Sequence, residues 1–150
     1  MTPIRALRLQ LGELAAADAT FLAPALAGNK IKLVIAAFTP SEDRVLGDFT
    51  LASFTGSTPL VAGTGTQAVG VDGVSGEQVI TILEPAGGWR WECTVAPASP
   101  QTVFGFIMTS NDDLTLIGCG LLPQTVLIAR VGDEVQIGNV TLRIVRQPMF

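Results

Sequence analysis

Neither histidine nor tyrosine occurs anywhere in these 150 residues. Without histidine the chain lacks the commonest general base and the commonest metal ligand. A serine or cysteine nucleophile also loses its usual activator, so no Ser-His-Asp or Cys-His arrangement can form within one chain. Lysine offers only Lys30 and Lys32 as substitutes. No Walker-type loop is present, and the glycines of AGTGTQ (62–67) lead into no helix signal, which argues against a phosphate cradle. The reading is a non-enzyme with no catalytic residues, no cofactor and no metal site.

Charge is scarce as well. Charged residues make up 15% of the chain, against about 25% in ordinary globular proteins. Nine basic and thirteen acidic residues give a net charge of −4 and a pI near 4.6. With no basic cluster to neutralise phosphates, a nucleic-acid partner is not expected. Nor does any run of about 18 uncharged apolar residues occur, so no transmembrane helix is expected and no membrane partner. Arg5 and Arg8 are followed by Glu13 and Asp18, which break any apolar core of a signal peptide. Cys93 and Cys119 are the only cysteines, too few for a zinc site or a disulfide scaffold. They read as buried thiols, with a bridge open if neighbouring strands bring them together.

What the chain has is apolar residues, 48% of the total, and a mean hydropathy of +0.48. Some of these build a core, which 150 residues can do without staples. With so few charges, the excess points to surface that partners cover.

Strand-like runs recur between turn residues. They are 30–38 (KIKLVIAAF), 65–71, 78–83 (QVITIL), 89–95 (WRWECTV), 102–109 (TVFGFIMT), 114–117 and 125–130 (TVLIAR). Asp72-Gly73 and Ser75-Gly76 mark turns between the second and third runs. Residues 135–137 and 140–145, joined by Gly138-Asn139, predict a closing hairpin with a two-residue turn. In 89–95, alternation puts Trp89, Trp91 and Cys93 on one face and Arg90, Glu92 and Thr94 on the other. Asp48 predicts a helical turn over 48–54, because its carboxylate can cap the following N–H groups. Sixteen glycines and nine prolines suit many tight turns. The fold expected is all-β, an antiparallel β-sandwich or jelly-roll-like barrel over 28–150, preceded by an irregular N-terminal arm over 1–27.

Four features carry candidate contacts. The arm lies outside the strand pattern and is rich in leucine, so Leu7, Leu9, Leu11, Leu14 and Phe21 are candidate interface residues, as is Phe54. Trp89 and Trp91 fit a core face best, with an inter-subunit contact and ligand stacking as the alternatives. Asn111, Asp112 and Asp113 form the densest oxygen cluster but lack the spacing of an EF-hand loop, and read as a solvated turn. The segment 55–59 after Phe54 reads as a loop packed on itself with its tip outward.

Three stretches together resemble a group of small phage-encoded and virus-associated structural proteins. Phe38-Thr39-Pro40, Val45-Leu46-Gly47-Asp48-Phe49-Thr50 and Ala52-Ser53-Phe54-Thr55-Gly56 are similar to their pattern FTP…LADFTEATFxGY. The run 101–109 with 114–117 is similar to their xxxVYGYFVTD strand, and Val131-Gly132-Asp133-Glu134-Val135 to their xxGDxLxV ending. The likeness spans about 30–146. Departures are Ser57 for a tyrosine, Phe104 and Phe106 for two more, and Leu51 for a glutamate. The resemblance implies a virion component: a capsid decoration (cement) protein bound to the major capsid protein or other virion proteins, assembled as a homo-oligomer, most simply a trimer. A receptor- or carbohydrate-binding module of a tail or spike is the alternative.

Overall fold

A computed structural model of the chain describes residues 2–3, 28–41, 43–61, 67–71, 78–82, 88–138 and 140–144. Ten strands run in order: β1 (Thr2–Pro3), β2 (Lys30–Val34), β3 (Leu60–Val61), β4 (Gln67–Val71), β5 (Gln78–Ile82), β6 (Trp89–Glu92), β7 (Gln101–Thr109), β8 (Leu116–Ile128), β9 (Glu134–Ile137) and β10 (Val140–Ile144). All pairings are antiparallel. They form a five-stranded sheet β1-β8-β7-β2-β3, a three-stranded sheet β10-β5-β4 and a two-stranded ribbon β6-β9. The fold is all-β and sandwich-like, and the described strands close no barrel.

The five-stranded sheet has apolar packing on both sides: β2 buries Ile31 and Leu33 on one face and Val34 on the other, while Lys30 and Lys32 stay half-buried. On one side Ile31, Leu33, Val103, Phe106 and Met108 pack with Trp89, Trp91, Val135 and Ile137 of the ribbon and with Phe54. On the other, Val34, Ile107, Leu116 and Cys119 pack with Phe49, and with Phe38 and Leu46 at the margin. Phe38 and Phe49 meet edge to face, with centroids 5.2 Å apart.

Several elements differ from the sequence expectation. The run 30–38 stops pairing as a strand at Val34, and 35–41 turns away to cover the second face. The helical turn falls at Leu46–Asp48 rather than 48–54, because the Asp48 carboxylate accepts the Val45 N–H at 3.0 Å and so closes the turn before it. The runs 114–117 and 125–130 contribute the two ends of a single strand, β8, bounded by Leu116 and Ile128. Between the pairs Val103↔Val126 and Gly105↔Leu121, two steps on β7 face five on β8. The excess bulges out and takes Pro123, which could not sit in a regular ladder.

The closing hairpin does not form. Glu134–Ile137 pairs with β6, in register Trp91↔Val135 and Trp89↔Ile137, whereas Val140–Ile144 pairs with β5. Matching Val135 and Ile137 to two indoles buries more apolar area than a local turn would gain. Asn139, like the turns over 72–77, lies outside the described residues.

Trp89 and Trp91 are 2% and 1% exposed. Each indole hides about 200 Å², worth up to ~5 kcal/mol of transfer free energy. Native fluorescence is therefore expected to be blue-shifted, poorly quenched by acrylamide and unchanged by added sugars. A red emission maximum in the native state would contradict this packing.

Candidate functional site

The segment after Phe54 is fastened to the ribbon rather than to itself. Gly56 has φ of 111°, and a Cβ there would come within 1.9 Å of the Glu92 carbonyl oxygen, so only glycine fits. Next to it Thr55 bridges to Val95, and the Thr94 N–H donates to the Thr55 carbonyl at 3.0 Å. The Ser57 hydroxyl donates to the Ala52 carbonyl at 3.2 Å, and the Trp91 indole N–H donates to the Thr58 carbonyl at 3.0 Å. These bonds hold one wall of an open cleft of about 330 Å³ lined by Lys32, Leu33, Leu51, Ala52 and residues 54–59. Its polar groups are hydroxyls, backbone and one ammonium; its floor is apolar. Such a cleft can hold a small polar-apolar group, and nothing in its lining is a nucleophile paired with a base.

Beside the cleft sits an ion triad. Alternation along β2 puts Lys30 and Lys32 on the same face, opposite Ile31 and Leu33. Asp113 reaches across from the turn between β7 and β8, with Lys30 Nζ 2.7 Å from Oδ2 and Lys32 Nζ 2.6 Å from Oδ1. The Thr109 hydroxyl donates to Oδ1 at 3.1 Å. With Lys30 and then Lys32 donating to it, the Asp113 carboxyl is held well below the usual carboxylate range. Asp113 has φ of 63°, a region that Asp and Asn tolerate best among residues with a Cβ.

Its neighbour does different work. Asp112 accepts the Ser110 hydroxyl and the Leu114 N–H, which lower its pKa and tie the turn to itself. The two carboxylates of the 111–113 cluster thus serve different donors instead of converging on one point. Asp133 plays the same local part between β8 and β9, where its Oδ2 accepts the Ala129 and Arg130 N–H groups at 2.8 Å each and its pKa falls in consequence.

The remaining candidates fall into three groups. Trp89 and Trp91 are core, so neither ring is open for ligand stacking or for contact between chains. Phe54, expected from the sequence at an interface, is 3% exposed and packs in the same core, because its strand-to-loop position points it under the ribbon. Leu7, Leu9, Leu11, Leu14 and Phe21 lie outside the described residues. Arg90 and Glu92 are exposed as expected, and Arg90 forms an ion pair with Glu134 on the facing strand. Cys93 and Cys119 are both buried and unbridged, Cys93 in the ribbon-side core and Cys119 in the opposite one.

The sequence reading missed the triad. Alternating lysines on one strand were visible, but their partner is 81 to 83 residues away in the chain and is brought close only by β2–β7 pairing, in which Lys30 faces Thr109.

This geometry has two testable outcomes. Because the folded pKa of Asp113 lies below its unfolded value of 3.8, its contribution is complete above that value and is lost as pH falls below it. The urea midpoint of wild type is expected to exceed that of Asp113→Asn at pH 7, with the gap narrowing progressively as pH falls below 3.8; a gap constant with pH refutes the charge argument. Asparagine keeps the left-handed backbone, so the comparison isolates charge. Gly56→Ala is expected to lower unfolding free energy by about 2 kcal/mol or more, and an unchanged urea midpoint would show that the loop is not held against Glu92.

Comparison with protein-family models, characterised proteins and solved structures finds no match to this chain.

Proposed function

We propose that this chain is a non-catalytic structural protein of a phage virion, a capsid decoration (cement) protein that clamps neighbouring shell subunits as a symmetric oligomer, a trimer. One observation carries the reading. Large apolar side chains stand outside the core: Val45, Val61, Leu114 and Val131 are 60%, 55%, 78% and 64% exposed. With only 15% charged residues, such a surface is suited to protein–protein packing, for which about 1,600 Å² is an ordinary interface. The capsid assignment itself draws on the resemblance of 38–56, 101–117 and 131–135 to phage structural proteins. The bonded turns support the same role, since a clamp must resist deformation.

In this reading the segment 1–27 is the docking arm. Its leucines offset the entropy of ordering when they are buried on a partner. Thr2–Pro3 pairs with Gly118 and Cys119 at the margin of the five-stranded sheet, so the arm begins on the domain.

The second reading, a receptor- or carbohydrate-binding module of a tail or spike, draws on the cleft beside Lys32 and residues 54–59. It no longer has the indoles to draw on.

Removing residues 1–20, β1 included, is expected to abolish binding to capsids while the β domain stays folded by its far-UV spectrum. Retained particle binding by the folded truncation would remove the arm from the proposal, and failure of the full chain to bind any capsid would remove the decoration role.

A further inference from the structure

We infer that the segment between Ile35 and Thr50 is a lid that swings off the five-stranded sheet as a unit while the rest of the domain stays folded, uncovering the thiol of Cys119. The inference stands apart from the capsid reading.

The two loops that follow β2 are held in opposite ways. The loop over 54–59 is bonded to the ribbon through its backbone. The Thr94 N–H donates to the Thr55 carbonyl and the Trp91 indole N–H to the Thr58 carbonyl, each at 3.0 Å. The loop over 36–49 is bonded largely within itself. The Arg44 N–H donates to the Ser41 carbonyl at 3.4 Å, and its Nε–H to the Thr39 carbonyl at 3.0 Å. The Val45 N–H donates to the Asp48 carboxylate at 3.0 Å, and the Phe49 N–H to the Leu46 carbonyl at 3.3 Å. None of these bonds breaks when the segment moves as one body. Among the described residues, no strand pairs with 36–49.

The ends of the segment are adjacent and pinned. The Ile35 N–H donates to the Thr50 carbonyl and the Ala52 N–H to the Leu33 carbonyl, each at 2.9 Å, and Val34 bridges to Leu51. A loop with its ends together and its own internal bonding is an Ω-type unit. Opening such a unit needs rotation only at the few residues next to the pins.

What holds the lid shut is mainly apolar. Phe49 packs with Val34, Ile107, Leu116 and Cys119, and Phe38 and Leu46 pack at the margin. The Phe38 ring is seated over Gly105, where a Cβ would stand 2.8 Å from its Cζ. One polar tie joins in, the Ser41 N–H donating to the Cys119 thiol. A unit held by a few side chains, with no strand pairing across its boundary, opens at lower free energy than the whole domain. The two cysteines allow that difference to be read. Both are fully buried. Cys119 lies beneath the lid, whereas Cys93 lies in the ribbon-side core, its backbone bonded to Gly132 and Asp133. One thiol reports the lid and the other the body.

Alkylation of the full chain with iodoacetamide, in which a thiolate displaces iodide and forms a C–S bond, tests the lid when each cysteine is followed by peptide mass. Cys119 is expected to react about tenfold faster than Cys93, or more. Its rate is also expected to rise less steeply with low urea, because an opening lid exposes less surface than an unfolding domain. Phe38→Ala is expected to raise the Cys119 rate about tenfold or more and to leave the Cys93 rate within about twofold. Phe38→Leu, a milder change at the same seat, takes its place if the alanine variant unfolds. Equal rates at the two thiols with the same urea dependence overturn the lid, as does a Cys119 rate below that of Cys93. A folded Phe38 variant with an unchanged Cys119 rate overturns it too. No particle enters the measurement, so its failure and that of the capsid reading are told apart.

Discussion

Trp91 is where three parts of the chain are fastened together. Its ring fills the core between the ribbon and the five-stranded sheet, its backbone pairs with Val135, and its indole N–H is taken by the Thr58 carbonyl. An indole N–H buried without a partner would cost about 1–3 kcal/mol, so the loop over 54–59 must come to it. The position of that loop then brings Gly56 against the Glu92 backbone, where no side chain fits. The cleft beside Lys32 results from the same arrangement, since one of its walls is the fastened loop.

The sheet beneath that indole is unusual in having apolar cover on both faces although its pairing is antiparallel. Residues 38–49 act as the second cover, held by Phe38 and Phe49 edge to face and by Asp48 on the Val45 N–H. At the end of β2, where this cover stops, Lys30 and Lys32 meet the solvent side and share Asp113. The two faces of one strand thus carry the core and the ion triad. Asp112, Asp113 and Asp133 all serve as acceptors for turn or strand donors, and in each the bound donors favour the ionised form. These three aspartates hold turns and strand ends in place.

Much of this was legible in the residues themselves. The spacing of Gln67–Val71, Gln78–Ile82, Trp89–Glu92 and Gln101–Thr109 between turn residues marked an all-β chain. Strict alternation in Trp89–Glu92 separated buried indoles from exposed Arg90 and Glu92, because side chains of a strand point to opposite faces whatever the strand pairs with. These are local or compositional properties, and they survive in any compact fold.

Partner choice was not local. Val135 and Val140 lie on either side of a turn-like pair, and local propensity joins their strands into a hairpin; burial of Trp89 and Trp91 sends them to different sheets. Phe54 has the composition of an interface residue and became core for the same reason, as the ribbon settled over it. The lysines at positions 30 and 32 could be seen, but not the carboxylate at 113 that neutralises one of them, since only β2–β7 register brings the turn across. Alternation and turn spacing determined by themselves that the chain is a β protein. Tertiary structure decided which strands pair, which aromatic rings are hidden and which leucines stay outside, because burial is shared among all elements and each pairing excludes another.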